Sequence, residues 1–508
     1  MNDKRRSDEA TKPRRPGGPS VASGWYCLLA LVTTTAWADK PIPAHPEKID
    51  YPKLDYKIPS ASQFREELPS GLVVYIAEDR MLPVFDMHII IGAAGAFDPP
   101  GKTGLASLTG EQIRDGGTQD LTPEALDERV EFLAAQLFAN IGETQGAAGV
   151  SLLSKDIDAG LDLLVSMLRY PRFDETRFRL AKERRLQNLK RRNDSTASIE
   201  QNEFGFLMNG EEHFSNWYPT PATLNAVSRE DMVEFHRKYV HPGNMIIAVA
   251  GDFDRKEMLK KIEKAFASWP AGEKSARAFP KPNFEPKPGV YVIDKADVNQ
   301  GRVTIGHKGV LRGSPDEFAL QVMNGILGAS GFRSRIVAKV RSDEGLAYNA
   351  GSQFGQGIYW PGNFRAWFQS KSNSCAYAAA LVLEEINRLK VVKVSPEDVE
   401  DTVNFYVESL PQRFESKLAT LETFTSDEYT GRDPKYWETY VENLKKVTPD
   451  DVLRVAKKYL HPDKLVILAV GEAEVIIGGG YDKVPGLKLD KLGPVTRLPV
   501  RNPETMKR

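Results

Sequence analysis

The feature that most constrains the fold of this 508-residue chain is an internal repeat. Residues 228–251 and 448–471 align without a gap at a constant offset. Each copy predicts a helix with a Ser or Thr N-cap and acidic residues in its first turn. The amphipathic helix is followed by a His-Pro turn and an apolar strand that ends in Gly. Self-similarity over this length predicts two like halves, each containing the same helix and strand.

The repeat extends beyond this pair, and the order of its elements indicates the fold class. Strands adjacent in sequence alternate with helices, so we expect an α+β protein rather than a doubly wound parallel sheet. The expected architecture is two tandem homologous domains, each a mixed, largely antiparallel sheet covered by helices. The predicted strands are 71–77, 83–93, 289–295 and 299–307, and the predicted helices include 122–136, 157–168, 374–389 and 395–405.

Shifts in composition suggest where these domains begin and end. A Pro- and Lys-rich stretch joins the halves, and the sequence after three successive glycines is typical of a loop. The predicted segments are a signal peptide at 1–38, an N-terminal extension at 39–64, the first domain at 65–268, a linker at 269–288, the second domain at 289–475 and a loop-like tail at 476–508.

The N-terminus has the pattern of an export signal. Several Lys and Arg residues precede an apolar run over about residues 25–37, which ends in Ala36-Trp37-Ala38. We therefore expect a periplasmic or secreted protein that is cleaved near Ala38. An uncleaved anchor and a start codon further downstream are the alternatives. No later stretch is long and apolar enough for a membrane span, so none is expected in the mature chain.

Overall charge and histidine placement exclude several function classes. The 68 Lys and Arg balance 69 Asp and Glu, so there is no electrostatic drive toward nucleic acid or anionic lipid. Cys27 lies in the predicted signal, so Cys375 cannot form an internal disulfide in the mature chain. His241 and His461 occupy equivalent places in the repeat, each before Pro. We interpret them as turn residues, because ligands of a structural zinc usually lie in closely spaced pairs.

Residues 102–118, which contain Gly-Leu-Ala, resemble the zinc-binding segment of the insulinase/pitrilysin metallopeptidase family. In active members of that family Gly-Leu-Ala runs into His-x-x-Glu-His. The two imidazoles share one helical face and one zinc, and the Glu acts as general base on the bound water. A Glu later in the chain completes the zinc ligands. The resemblance implies that the N-terminal and C-terminal domains both have a peptidase-like fold.

The chain departs from the family pattern at every zinc and base position. The alignment puts Ser107, Gly110 and Glu111 where the first His, the general base and the second His stand. The distal ligand falls near Gln187 and Asn188, which are neutral amides. We therefore expect no catalytic residue and no metal on this chain, and expect zinc on a partner.

Two residues near these positions have alternative interpretations. Ser107 as a nucleophile would need a base, and no His lies near it in sequence, so we interpret it as a helix-surface or first-turn serine. Glu183 is either a residual carboxylate beside the metal position or part of a solvated helix face next to Lys182 and Arg184. We favour the solvated face.

The second half resembles the C-terminal domain signature of the same family at residues 314–328, 332–336 and 340–348. In active relatives an Arg and a Tyr seven residues apart reach the substrate, and Arg341 and Tyr348 match both in type and spacing. A guanidinium and a phenol can hold a peptide carbonyl and stabilise charge that develops on it. We expect both to bind substrate; the alternative is a surface cation and a core tyrosine.

The resemblance implies a function shared between two chains, as in family members that work as pairs. The hypothesis is a non-catalytic, substrate-binding subunit of a periplasmic heterodimer. A homologous His-x-x-Glu-His subunit would cut a peptide that this chain binds at a sheet edge. One alternative is a purely structural, core-type or peptide-binding protein. Another is a zinc metalloendopeptidase with unrecognised ligands.

Overall fold

The structure is a computed structural model that describes residues 45, 48, 49, 56–276 and 278–508. The predicted signal peptide and most of the predicted extension lie outside the described residues. Residues 56–508 fold as one unit. In this part of the chain, no helix is both long and apolar enough to cross a bilayer.

The first half forms a six-stranded mixed sheet. Its strand order is β1-β2-β6-β3-β5-β4, in which β2 and β6 are parallel and the other pairs are antiparallel. The strands are β1 (Arg65–Glu67), β2 (Val73–Glu78), β3 (Val84–Ile91), β4 (Gln136–Ile141), β5 (Gly146–Leu153) and β6 (Met245–Gly251). The helices are α1 (Leu105–Asp115), α2 (Pro123–Phe132), α3 (Ile157–Arg169), α4 (Glu175–Lys190), α5 (Thr196–Asn209), α6 (Pro221–Ala226), α7 (Arg229–Tyr239) and α8 (Arg255–Phe266).

The second half repeats this arrangement in the order β10-β12-β8-β13-β7-β14, with a small β9–β11 pair beside it. The strands are β7 (Gly289–Asp294), β8 (Gln300–Lys308), β9 (Val310–Leu311), β10 (Ala347–Phe354), β11 (Gln356–Gly357), β12 (Asn363–Lys371), β13 (Val466–Gly471) and β14 (Val495–Leu498). The helices are α9 (Glu317–Asn324), α10 (Arg335–Val337), α11 (Cys375–Val391), α12 (Pro396–Arg413), α13 (Lys417–Thr430), α14 (Tyr436–Lys445), α15 (Pro449–Tyr459) and α16 (Ala473–Gly478).

The repeated pair has the same role in both halves. Ser228 caps α7 and Thr448 caps α15, and in each case an Asp three residues later bonds back to the cap. Strand β6 pairs parallel with β2 and antiparallel with β3, and β13 pairs in the same way with β7 and β8. The predicted two-sheet mixed fold is confirmed.

Each sheet is covered partly by a helix from the other half. Helix α5 of the first half packs Ile199, Phe204 and Met208 against the apolar residues of β13. Helix α13 of the second half packs Leu421 and Phe424 against the core on β2 and β6. Because of this exchange, neither half buries its sheet alone.

Two local predictions are wrong. The helix predicted at 122–136 ends at Phe132, because Ala134 has a left-handed φ of 48° and residue 136 already begins β4. The segment predicted as a loop-like tail contains a strand, β14, which pairs parallel with β7 at the sheet edge. Its apolar residues alternate too briefly to indicate a strand without the neighbouring β7.

Candidate functional site

Helix α1 carries the positions of the degenerate zinc motif. Gly104, with a left-handed φ of 103°, turns the chain into the helix. The buried carboxylate of Asp98 accepts the backbone N–H groups of Gly104 at 2.7 Å and Ala106 at 2.8 Å. Burial raises the pKa of Asp98 to about 6, against which these two hydrogen bonds act. The helix start is therefore fixed by one carboxylate beneath the motif.

A guanidinium from α4 stands between Ser107 and Glu111. Arg185 donates to the Ser107 hydroxyl at 2.7 Å and to the Ser107 carbonyl at 3.1 Å. It also donates to Glu111 through Nη2 at 2.6 Å and Nε at 3.1 Å. Arg184 forms a further ion pair with Glu111. The two motif positions that are His in active relatives are thus joined by a cation that belongs to the protein.

These residues do not fit a zinc ion. Zinc takes nitrogen, sulfur or carboxylate ligands, usually four, at about 2.0–2.3 Å. Here the one carboxylate, Glu111, already binds two arginines, and the Ser107 hydroxyl donates to the Gly104 carbonyl at 3.1 Å. A dication would have to displace both guanidinium groups from Glu111. Over the ranges that the structure describes, no group of three or more His, Cys, Asp or Glu residues could hold a metal.

The distal ligand position offers no replacement. Gln187 and Asn188 are both exposed on α4. Glu183 is also exposed and pairs with Arg179 at 3.0 Å, one helical turn away. Its carboxylate therefore lies on a solvated helix face and not against Glu111, in agreement with the interpretation favoured from the sequence.

Gly110, at the general-base position, has a packing role that sequence comparison does not reveal. A Cβ on this residue would lie 2.4 Å from the Ile141 nitrogen and 2.7 Å from the Asn140 carbonyl carbon. Both atoms belong to the backbone of β4, the terminal strand of the first sheet. Helix α1 thus packs so closely on β4 that a Glu side chain at position 110 requires the helix or the strand to move.

A cavity of about 270 Å³ adjoins the start of α1 and the end of β4. Burial raises the pKa of Glu143 on its rim. Its lining includes Asp98, Ser107, Ile141, Glu143, Phe214 and Trp217. The cavity thus combines carboxylates and aromatic rings next to a terminal strand of the first sheet.

The structure brings Arg341 and Tyr348 together in the second half. Arg341 lies in a π-helical turn, Ala338–Asp343, and Tyr348 lies near the start of β10, the terminal strand of the second sheet. The guanidinium carbon is 4.4 Å from the centre of the Tyr348 ring, and the tyrosine is 83% exposed. Tyr348 is therefore not a core residue, and no carboxylate among the described residues pairs with Arg341.

Sequence reasoning missed a third member of this group. The Phe332 ring centre lies 4.5 Å from the Arg341 guanidinium carbon, and the phenylalanine is 64% exposed. The available signal was an apolar ring between a glycine and an arginine at the start of a signature block. We call Phe332, Arg341 and Tyr348 the aromatic-arginine stack.

The two histidines of the repeat lie at turns. His241 and His461 each immediately precede a short 3-10 turn that begins with Pro. The backbone N–H of His461 donates to Nε2 of His307 at 3.2 Å, and their rings meet edge to face. Both histidines therefore take part in the chain reversal between helix and strand.

The chain is similar in sequence to a known protein family and to several known proteins. Residues 226–406 match the family described as the peptidase M16 inactive domain. A non-peptidase homologue, YmxG of Helicobacter pylori, is 22% identical over 430 residues, which is 81% of this chain and 94% of that protein. The probable mitochondrial-processing peptidase subunit beta of Arabidopsis thaliana is 22% identical over 426 residues, 80% of this chain and 77% of that protein.

Among solved structures, a peptidase M16 inactive domain from Pseudomonas fluorescens has the same fold. It superposes with a TM-score of 0.71 at 22% identity, covering 80% of this chain and 97% of that one.

Proposed function

We propose that this chain, which matches the peptidase M16 inactive domain over residues 226–406 and resembles a non-peptidase homologue over most of its length, is the non-catalytic, substrate-binding subunit of a periplasmic heterodimeric zinc peptidase of the insulinase/pitrilysin type. A homologous partner chain with His-x-x-Glu-His supplies the zinc and the general base. This chain holds the peptide with Arg341 and Tyr348.

The proposal rests on a difference between two sites. The zinc-motif positions on α1 are filled by protein side chains, whereas Arg341 and Tyr348 remain accessible. The motif positions on α1 are occupied by the Arg185–Glu111 ion pair and by a glycine packed on β4. The Arg341 guanidinium instead lies beside an exposed Tyr348, with its N–H groups free to bind an acceptor from outside the described residues. A purely structural subunit has no need for such an exposed pair.

Extended peptides fit the surroundings of both sites. Strands β4 and β10 are terminal strands of their sheets, so each has one backbone edge that pairs with no other strand of its sheet. An extended peptide can add to such an edge by main-chain hydrogen bonds. A donor pair beside β10 would then reach a carbonyl of that peptide.

The periplasmic location rests on the N-terminal sequence. The charged segment, the apolar run and Ala36-Trp37-Ala38 together have the pattern of a secretory signal. Export would place this chain in the periplasm, where it could meet a partner chain that is also exported.

The experiment is hydrolysis by the reconstituted pair. The chain is co-expressed with the His-x-x-Glu-His homologue from the same genome, and cleavage of unfolded β-casein is measured for the partner alone and for the pair. We expect the pair to cut faster, and Arg341→Ala or Tyr348→Phe in this chain to lower kcat/KM about 10²-fold, the usual effect of losing one donor to a developing charge.

The matched control is Arg365→Ala. Arg365 on β12 also lies over an aromatic ring, that of Trp367 at 5.0 Å, but outside the aromatic-arginine stack. It should leave cleavage unchanged. Full activity of the partner alone, unaffected by the Arg341 and Tyr348 variants, rejects the proposal. Stable assembly without any effect on casein binding supports the structural alternative.

A further inference from the structure

The aromatic-arginine stack contains one residue to which the family resemblance assigns no role. Phe332 lies in a 3-10 turn, Gly331–Arg333, that begins with a left-handed glycine, φ 74°. Its ring and that of Tyr348 flank the Arg341 guanidinium at 4.5 and 4.4 Å. The Phe332 ring is thus mostly exposed and lies against a guanidinium rather than inside the core.

The neighbouring arginines show why Phe332 is held in this place. Arg333 pairs with Asp401 at 2.8 Å and Arg335 pairs with Asp398 at 3.6 Å, both on α12. These two ion pairs tie the segment that directly follows Phe332 to α12. Arg341 takes part in neither ion pair. Its guanidinium contacts the aromatic rings of Phe332 and Tyr348 instead of a carboxylate.

Aromatic neighbours suit a guanidinium that must remain available to a ligand. The group is planar, its N–H donors lie in that plane, and it binds ring faces favourably. A carboxylate partner would occupy the donors. Rings restrict the long side chain and leave the donors open.

We propose that Phe332 is a positioning residue, which together with Tyr348 orients the Arg341 guanidinium so that its in-plane donors face a carbonyl of the bound peptide. This inference rests on the proposed substrate-binding function and adds a residue to it. Phe332 acts through Arg341 and does not itself contact the reacting atoms.

The first test observes the stack without any substrate. In the full chain labelled with ¹⁵N-arginine, the Nε–Hε cross-peak of Arg341 is assigned by its loss in Arg341→Lys. Ring currents should displace this cross-peak from its position in an unstructured peptide. Phe332→Leu should return it toward that position and Phe332→Tyr should preserve it. A cross-peak that Phe332→Leu leaves unmoved overturns the proposal.

The second test measures binding of fluorescein-labelled unfolded β-casein by anisotropy, with the chain and its partner present. Phe332→Leu should weaken binding about two- to fivefold, the range of an exposed cation–π contact, and Phe332→Tyr should restore it. In an Arg341→Met background Phe332→Leu should have no further effect. An equal loss in that background assigns Phe332 a contact of its own and rejects the positioning role.

The two tests separate the failure of each idea. Wild-type complex that binds no casein rejects the substrate-binding function, and the positioning role with it, even if the cross-peak responds. Normal casein binding together with an unmoved cross-peak rejects the positioning role alone.

Discussion

Arg185 and Glu111 are joined by two hydrogen bonds, of 2.6 and 3.1 Å, that link α4 to α1. In the insulinase/pitrilysin pattern that the sequence resembles, the positions of Glu111 and of residues near Gln187 are zinc ligands. Here a guanidinium, which also binds both oxygen atoms of Ser107, makes the equivalent connection. These contacts hold α1 and α4 together through side chains of the protein itself.

The first prediction is that this link stabilises the fold. Arg185→Met leaves the half-buried Glu111 with Arg184 alone and the Ser107 hydroxyl without its donor, so it should lower the free energy of unfolding by about 1–3 kcal/mol. Urea denaturation measures the loss. Arg179→Met is the control, because its pair with Glu183 is exposed and should contribute about 0.5 kcal/mol or less. Equal losses in the two variants would contradict a structural role for Arg185.

The second prediction concerns Gly110. Gly110→Ala should lower the free energy of unfolding by about 1–3 kcal/mol, because its Cβ meets the β4 backbone at 2.4 Å. Gly486→Ala has open space and should remain within about 0.5 kcal/mol of wild type. For the same reason, the triple variant Ser107→His, Gly110→Glu, Glu111→His should not recover peptide hydrolysis or stoichiometric zinc by elemental analysis. Recovery of both would show that α1 and β4 separate easily.

The sequence predicted what depends on local pattern and missed what depends on distant partners. The capping residues Ser228 and Thr448 and the apolar strands after them are periodic signals, and they predicted both sheets. Arg185 lies 74 positions from Glu111, and Phe332 meets Arg341 only through the fold of their turn. Exchange of α5 and α13 between the halves likewise has no local signature. From the sequence, only the absence of histidine at positions 107 and 111 could be predicted, and not the ion pair that Arg185 forms there.

The third prediction follows from Asp98. Its pKa is raised in the folded chain, to about 6 from an ordinary 3.8, so between these values the native state binds more protons than the unfolded state. Stability from this carboxyl is present at low pH and is lost as pH rises through about 6. Asp98→Asn removes the titration. Between pH 4 and pH 7, the wild type should lose about 2 kcal/mol of unfolding free energy relative to the variant. A pH-independent difference would contradict the raised pKa.

The fourth prediction concerns the return of the C-terminal segment to the first half. Arg501 and Glu203 are 6% and 2% exposed and are joined at 2.9 Å, and the Arg501 guanidinium lies 3.8 Å from the Phe206 ring centre. Arg501→Met leaves Glu203 buried with only Arg508 to balance its charge, so the free energy of unfolding should fall by about 3–5 kcal/mol. Arg497→Met, four residues earlier on β14, breaks an exposed pair with Glu474 and should leave the free energy of unfolding nearly unchanged, because solvent screens such a pair. Thermal and urea unfolding of both variants measure the difference. If Arg501→Met unfolds like Arg497→Met, the buried Arg501–Glu203 pair does not stabilise the fold.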